Sequence, residues 1–225
     1  MKKFECLMLV AAFMLMLGSS CGNKGQVVQY ATYDENSFDN PNRDTTMYGI
    51  CANGSAMNTL QMLTDAGDSV SLSTERAQEA GQVFGGYAVG DRMAVLVNRD
   101  TTEATMVINM SMLLGDWVMP NPLDGSDEVG ISIKEGGIAE SIKQSSIFYK
   151  TWRIFNGRLE IDAERESGLD ISEHQSCKLL YLSADSLAYK DLIDDGDVFE
   201  YGRQRIVKQK EVIKLEESNF DDFLW

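Results

Sequence analysis

Chemistry on a protein needs a nucleophile with a base, a pair of carboxylates, or a cage for a metal or phosphate. This 225-residue chain holds a single imidazole, His174, in "DISEHQSCK". Any Ser-His-Asp or Cys-His arrangement would have to recruit it, since the base must lie within hydrogen-bond reach of the nucleophile. The stretch reads as a polar connection, in which a lone histidine is a solvated surface residue. Glycosidase chemistry asks only for two carboxylates about 5–10 Å apart, and with 35 acidic residues that requirement selects nothing. "VFGGYAVGD" (83–91) contains no Gly-Lys-Ser/Thr and no GxGxxG, so its glycines mark tight turns rather than a phosphate loop. "DENSFDNPNRD" (34–44) is rich in oxygen donors but lacks the glycine and spacing of a calcium loop. We expect no catalytic residue, no metal and no cofactor.

The cysteines lead to the address. Lys2 and Lys3 precede an apolar run from Cys6 to Leu17, 12 residues long. That is too short to span a bilayer as a helix, which needs about 20 residues, but it fits the apolar region of an export signal. Gly18, Ser19 and Ser20 then lead into Cys21. The run resembles the lipobox of bacterial lipoproteins, although Leu17 stands four rather than three places before the cysteine. The resemblance implies that residues 1–20 are removed and that the Cys21 thiol carries lipid. A plain secretory signal cut nearby is the other reading. Two or more acyl chains hold a protein stably where one does not. Gly22 and Asn23 include no aspartate directly after Cys21, which in lipoprotein sorting implies the outer membrane of the cell envelope.

The formal charge of −15 excludes one class of partner. Nucleic-acid binding rests on Lys and Arg neutralising phosphates, and the densest basic run, "RQRIVKQK" (203–210), alternates like one face of a strand. With Cys6 lost and Cys21 lipidated, Cys51 and Cys177 remain. They form a disulfide in an oxidising envelope, or each is a small buried apolar residue. Two cysteines and one histidine fall short of the four ligands of structural zinc.

The elements follow from periodicity. Residues 21–45 are polar and aperiodic and read as a tether. From Thr46 the chain alternates: "DSVSLS" sets Val70 and Leu72 against serines, and "ATMVINMSM" sets Met106, Ile108, Met110 and Met112 against Val107, Asn109 and Ser111. Turn signals fall at "CANGSA", "TDAGD" and "VGDR". "STERAQEAG" (73–81) predicts one short helix, capped by Ser73 or Thr74 and stopped by Gly81. Three strands, a helix and two strands over 46–112 resemble an OB-fold. Without a basic groove and stacking aromatics, such a barrel is a poor single-strand binder.

Residues 113–215 read as a meander. "EVGISIK" alternates Val129, Ile131 and Ile133 against Gly130 and Ser132. In "YKTWRIFNGRLEIDAE" (149–164), Asn156-Gly157 is the favoured two-residue hairpin turn. Lys150, Trp152 and Ile154 share one face there, with Tyr149, Thr151, Arg153 and Phe155 on the other. Leu159, Ile161 and Ala163 oppose Arg158, Glu160, Asp162 and Glu164. "KLLYLSADSLAYKD" (178–191) predicts a second hairpin, and "FEYGRQRIVK" and "EVIKLE" two more strands. Such a meander must close or stack, because an open edge invites aggregation.

"LLGDWV" (113–118) carries a Gly-x-Trp motif, Gly115 and Trp117. With "YKTW", "NGRLEI", "LSADSLAY" and "YGRQ", this half is similar to the lipocalin-like domains of Bacteroides-type envelope lipoproteins. The resemblance implies that Trp117 packs under a barrel floor with Arg203 lying across it, a cation–π contact of about 0.5–2 kcal/mol. The Thr-Asp-Tyr motif of lipocalins is absent.

The expected fold is therefore all-β: two small antiparallel barrels or half-barrels, the first OB-like and the second lipocalin-like, with one short helix. Residues 216–225, "EESNFDDFLW", form a tail that docks on the barrel or meets a partner. Two functions stay open. In the first, Ile131, Ile133, Trp152, Leu159 and Ile161 line a cavity for a small apolar or amphipathic ligand. In the second these side chains fill the barrel, and the surface meets another envelope protein.

Overall fold

The computed structural model describes residues 43–204, except 123, 126, 144–146, 167–169 and 194–195. The signal segment 1–20, Cys21, the tether as far as residue 42 and everything after Gln204, including the 216–225 tail, lie outside the described residues.

The first sheet is built from β1 (Met47–Cys51), β2 (Thr59–Thr64), β3 (Ser69–Ser73), β4 (Val83–Phe84), β5 (Arg92–Val97) and β6 (Ala104–Asn109). Its strand order is β3-β2-β1-β5-β6-β4. The sheet curls, because Ser73 at the end of β3 forms a parallel bridge to Glu103 beside β6. Helix α1 (Glu75–Glu79) follows β3, as the sequence order of three strands and then a helix leads one to expect. Thr74 occupies the N-cap position of α1, but its hydroxyl is not spent on the helix backbone. It bonds the Gln78 side chain at 2.8 Å and lies 3.2 Å from the Tyr87 hydroxyl.

Two elements differ from the sequence reading. Val83–Phe84, just before the glycines read as tight turns, form a short strand that the sequence reading did not mark and that pairs in parallel with Val107–Ile108. The strand expected over 104–112 stops at Asn109, and Met110–Leu113 form a second short helix, α2. The cause is capping chemistry: Asn109 Oδ1 accepts the Met112 amide at 2.9 Å, which satisfies an orphan donor of the first turn.

The second sheet runs β7 (Gly115–Pro120), β8 (Glu128–Ile133), β9 (Ala139–Ile142), β10 (Ile147–Phe155), β11 (Arg158–Glu166), β12 (Asp170–Leu182), β13 (Ser186–Asp191) and β14 (Val198–Arg203). Its order, β10-β11-β12-β13-β14-β7-β8-β9, makes a nearly closed antiparallel barrel. Closure falls to side chains as well as backbone. Ile138 bridges Thr151, and Ser141 Oγ donates to Ile147 O at 2.6 Å while accepting the Tyr149 amide at 2.9 Å. The β10–β11 turn holds Asn156 at φ 48° and Gly157 at φ 72°, the positive values this turn type requires.

Period-two alternation holds through most of the barrel, and where it breaks the reason is visible. A bulge between Tyr149 and Thr151 turns Tyr149 inward beside Trp152 and Ile154, while Lys150 faces out to Glu164 at 2.9 Å. Tyr149 therefore belongs to the core face, opposite to simple alternation, because a bulge shifts every later residue by one position. His174 sits inside β12, not in a connection. Its strand neighbours Gln175, Cys177 and Leu179 are buried at alternate positions.

Two cores result. Cys51, Leu60, Met62, Leu72, Ala77, Met93, Val95, Ala104 and Val107 form the core of the first sheet. Phe84, Ala94, Ile108 and Leu113, from the other face of the same elements, belong to the barrel cluster with Trp117, Ile131 and Leu159. Strands β5 and β6 are thus apolar on both faces, because each face meets a different core. Asp44 and Thr45 are tied to the β10–β11 turn: Thr45 N donates to Asn156 Oδ1 at 2.8 Å, and Asn156 N donates to Asp44 Oδ1 at 3.1 Å.

Candidate functional site

One end of the barrel is sealed by Trp117 and Arg203. Trp117 is fully buried, and its indole N–H donates to Leu113 O at 2.8 Å. The Arg203 guanidinium carbon lies 4.1 Å from the Trp117 ring centroid. Its Nη1 donates to Leu114 O and its Nη2 to Met112 O, each at 2.7 Å, and its Nε donates to Ala184 O. The carbonyls at the end of α2 thereby gain a charged donor, as unpaired helix termini require. Gly115 sits at φ 137°, and a Cβ there would lie 2.2 Å from Arg203 Nη1. Glycine at this position leaves room for the guanidinium.

Ile131, Ile133, Leu159 and Ile161 are between 0 and 1% exposed and pack into one cluster with Trp117 and the tyrosines 149, 189 and 201. They fill the barrel interior. Toward its other end Phe199, Tyr189 and Tyr201 cluster with ring centroids 5.4–6.4 Å apart. The Tyr189 and Tyr201 hydroxyls lie 3.2 Å apart. Burial foremost pushes both phenols well above their ordinary value, so they remain neutral.

Trp152 joins the same cluster but also faces open space. Its indole N–H donates to Lys134 O at 2.7 Å, which fixes the ring against the turn of Glu135–Gly137. Around it opens a cleft of about 730 Å³, walled by Tyr48, Ile50, Met110, Leu114, Trp152 and Ile154 and edged by Asp65, Arg92, Ser111, Arg153, Glu135 and Gly136–Gly137. The cleft lies at the barrel seam, where β10 runs on beyond short β9 and meets β1, β5 and α2. Its volume falls within the range of small-molecule sites, about 300–1,000 Å³.

The polar groups of the cleft are held in place. Arg92 grips Asp65 through both terminal nitrogens at 2.5 Å. That bond holds the Asp65 carboxyl below its ordinary range and raises Arg92. Arg92 also stands 5.9 Å from the Tyr48 ring centroid. Arg153 Nε donates to Glu160 at 2.6 Å, and its guanidinium covers Phe155 at 4.9 Å. The Tyr48 hydroxyl lies 2.7 Å from Asp44 Oδ2 and 2.5 Å from Ile154 O, and its single proton serves one acceptor at a time. Burial first, then Asp44, pushes the phenol well above its ordinary value. The lining is apolar at its centre, with two guanidiniums and two carboxylates at its edge.

Among the described residues, no nucleophile–base arrangement assembles around the histidine. His174 Nδ1 meets Asp162 Oδ1 at 2.7 Å, and Thr151 Oγ1 donates to Asp162 Oδ2 at 2.7 Å. These hydrogen bonds, the His174 one first, hold Asp162 below the usual carboxylate range. The other ring nitrogen of His174 faces Glu160 Oε1 at 3.9 Å. A carboxylate stands between Thr151 and His174, so the order of nucleophile, base and orienting group is not met. Cys51 and Cys177 are free and buried. Among the described residues no three His, Cys, Asp or Glu side chains are grouped to hold a metal ion.

Of the five predicted lining residues, Trp152 alone reaches the cleft. Tyr48, Arg92, Met110, Ser111 and Leu114 escaped the sequence reading because they come from the other sheet, from α2 and from its C-cap. The signal that could have found the last three is Asn109, a helix cap inside an alternating run.

Residues 109–204 match the family model described as lipocalin-like. A solved structure of a lipocalin-like protein from Bacteroides thetaiotaomicron VPI-5482 is 26% identical, with a TM-score of 0.37, covering 41% of this chain and 97% of that one. No curated protein matches the chain. Residues 109–204, most of the barrel half, are thus similar to lipocalin-like domains.

Proposed function

We propose that this protein is a non-catalytic, lipid-anchored component of the cell envelope that binds a small apolar or amphipathic molecule, and that the ligand occupies the cleft at the barrel seam. The observation that carries the reading is the cleft itself: about 730 Å³, with an apolar centre and fixed polar groups at its edge. A ligand there would lie against Trp152 and Tyr48 and set its polar end beside Arg92 and Arg153. Anchoring through Cys21 in the outer membrane would place the cleft where apolar molecules partition.

Titrating the purified chain with fatty acids, sterols and other amphipaths while following tryptophan emission tests this. We expect a saturable shift for at least one class, lost in Trp152→Phe if that residue is the reporter. Silence across the panel, with unchanged thermal stability, would overturn it. The packed barrel interior favours a second reading, an assembly module without a small ligand. That reading gains if the panel is silent and the native protein co-purifies with a defined envelope protein.

A further inference from the structure

The charged groups around the cleft at the barrel seam already hold one another. Arg92 gives both terminal nitrogens to Asp65, each at 2.5 Å, and Arg153 gives Nε to Glu160 at 2.6 Å. Lys134, just before the turn of Glu135–Gly137, holds Glu140. These cations therefore meet the cleft with their charge matched. Donors and acceptors nevertheless remain. A guanidinium carries more N–H groups than the Asp65 pair uses, and each carboxylate oxygen keeps a further lone pair. Ser111 Oγ accepts the Arg92 amide at 2.8 Å, which leaves its own proton for another acceptor. The aromatic walls spend theirs on the protein: the Trp152 N–H on Lys134 O, the Tyr48 hydroxyl on Asp44 and Ile154. Their rings offer a ligand apolar surface alone, while Arg92, Asp65 and Ser111 gather the polar contacts beside one another.

We infer that the cleft selects an uncharged amphipath with a hydroxyl-bearing head, such as a glycerol ester, its chain along Trp152, Tyr48 and Leu114 and its head at Arg92, Asp65 and Ser111. The inference rests on the cleft being the ligand site and adds the chemistry of the ligand. A carboxylate brought to Arg92 meets Asp65 already there, and an ammonium brought to Asp65 meets Arg92. Like charges so placed cost affinity. Either ion gains a partner only by breaking the pair, which leaves a charge uncompensated. A hydroxyl gives its proton to Asp65 and accepts one from Arg92 or Ser111 with the pair intact. The ion pair thus rejects charged heads and admits neutral ones. Glu135 stands exposed on its turn, where water and salt screen it. The formal charge of −15 on the whole chain adds to the rejection of anions.

Titrating the purified full chain at neutral pH with monolauroyl glycerol, laurate and dodecylammonium, each below its aggregation concentration, tests this, because the chains match and only the heads differ. Calorimetry and tryptophan emission should give the glycerol ester an affinity at least about tenfold above that of either ion, unchanged by salt between about 0.05 and 0.5 M. Asp65 lies on an exposed turn, and Asp65→Asn leaves Arg92 without its counter-charge. That variant should gain about tenfold in laurate affinity while the ester changes little. Either ion binding the parent as tightly as the ester would overturn the inference and leave the cleft as the site. So would an unchanged ranking of the three probes in D65N. Silence from the ester overturns the inference too, and the cleft reading falls with it only if the wider panel of amphipaths is also silent.

Discussion

Replacing Arg203 tests how the barrel floor is held. The side chain donates to three main-chain carbonyls, Met112, Leu114 and Ala184, and covers the Trp117 ring at 4.1 Å. Hydrogen bonds from a charged donor contribute roughly 1.5–3 kcal/mol each, and the part-exposed position sets these at about 1 kcal/mol. The ring contact adds about 1 kcal/mol. Arg203→Ala should therefore lower stability by about 4 kcal/mol, a large share of the roughly 5–15 kcal/mol of an ordinary domain. In a chain of this size that corresponds to a fall in Tm of about 8–16 °C. Arg203→Lys keeps the charge but loses the planar fork and the stacked face, and should lose about half as much. Equilibrium urea unfolding, followed by tryptophan emission and far-ultraviolet dichroism, reads these values directly. Gly115→Ala should be strongly destabilising alone and markedly less so in the R203A background, since its Cβ meets Arg203 Nη1. An R203A variant within about 1 kcal/mol of the parent, or an R203K variant equal to it, would refute the reasoning.

Two further outcomes follow from buried groups. At Asp44, burial works to raise the carboxyl, but hydrogen bonds from Thr46, Tyr48 and the Asn156 amide outweigh it, and the net shift is below the ordinary 3.8. A depressed folded value stabilises above the unfolded pKa and is lost as pH falls through the folded one. Urea stability should therefore drop below pH 3.8 more steeply in the parent than in Asp44→Asn, and parallel curves would contradict this. Burial, then Asp191, pushes the Cys177 thiol up to about 12, so the native protein should resist thiol reagents at pH 8 and react only on unfolding. Rapid labelling of Cys177 in the folded chain would be the contrary result.

What the sequence discloses here depends on whether the cause is local. The β10–β11 turn is written in Asn156-Gly157, and the alternation of Leu159, Ile161 and Ala163 states which side is core. Trp117 and Arg203 are 86 positions apart, yet a motif resemblance links them, and the structure places one across the other. Bulges carry no such signal. Tyr149 turned inward because one residue slipped its pairing, and His174 lay in a strand whose polar outer face resembles a connection. The cleft was hidden for a third reason. Its walls come from β1, β5, α2 and β10, and nothing in any one of these segments announces that they converge. Continuous burial along Met93, Ala94 and Val95 shows that β5 separates two cores, but that meaning emerges only once both sheets are in place.

The proposed function stands or falls with a small molecule at the barrel seam. Native mass spectrometry of the protein purified gently from its native cells decides it, on the parent and on Ser111→Trp, which fills the cleft from α2. We expect a small-molecule adduct on the parent that disappears from the variant while the fold survives by dichroism. A bare parent, or an identical adduct on both proteins, would contradict it.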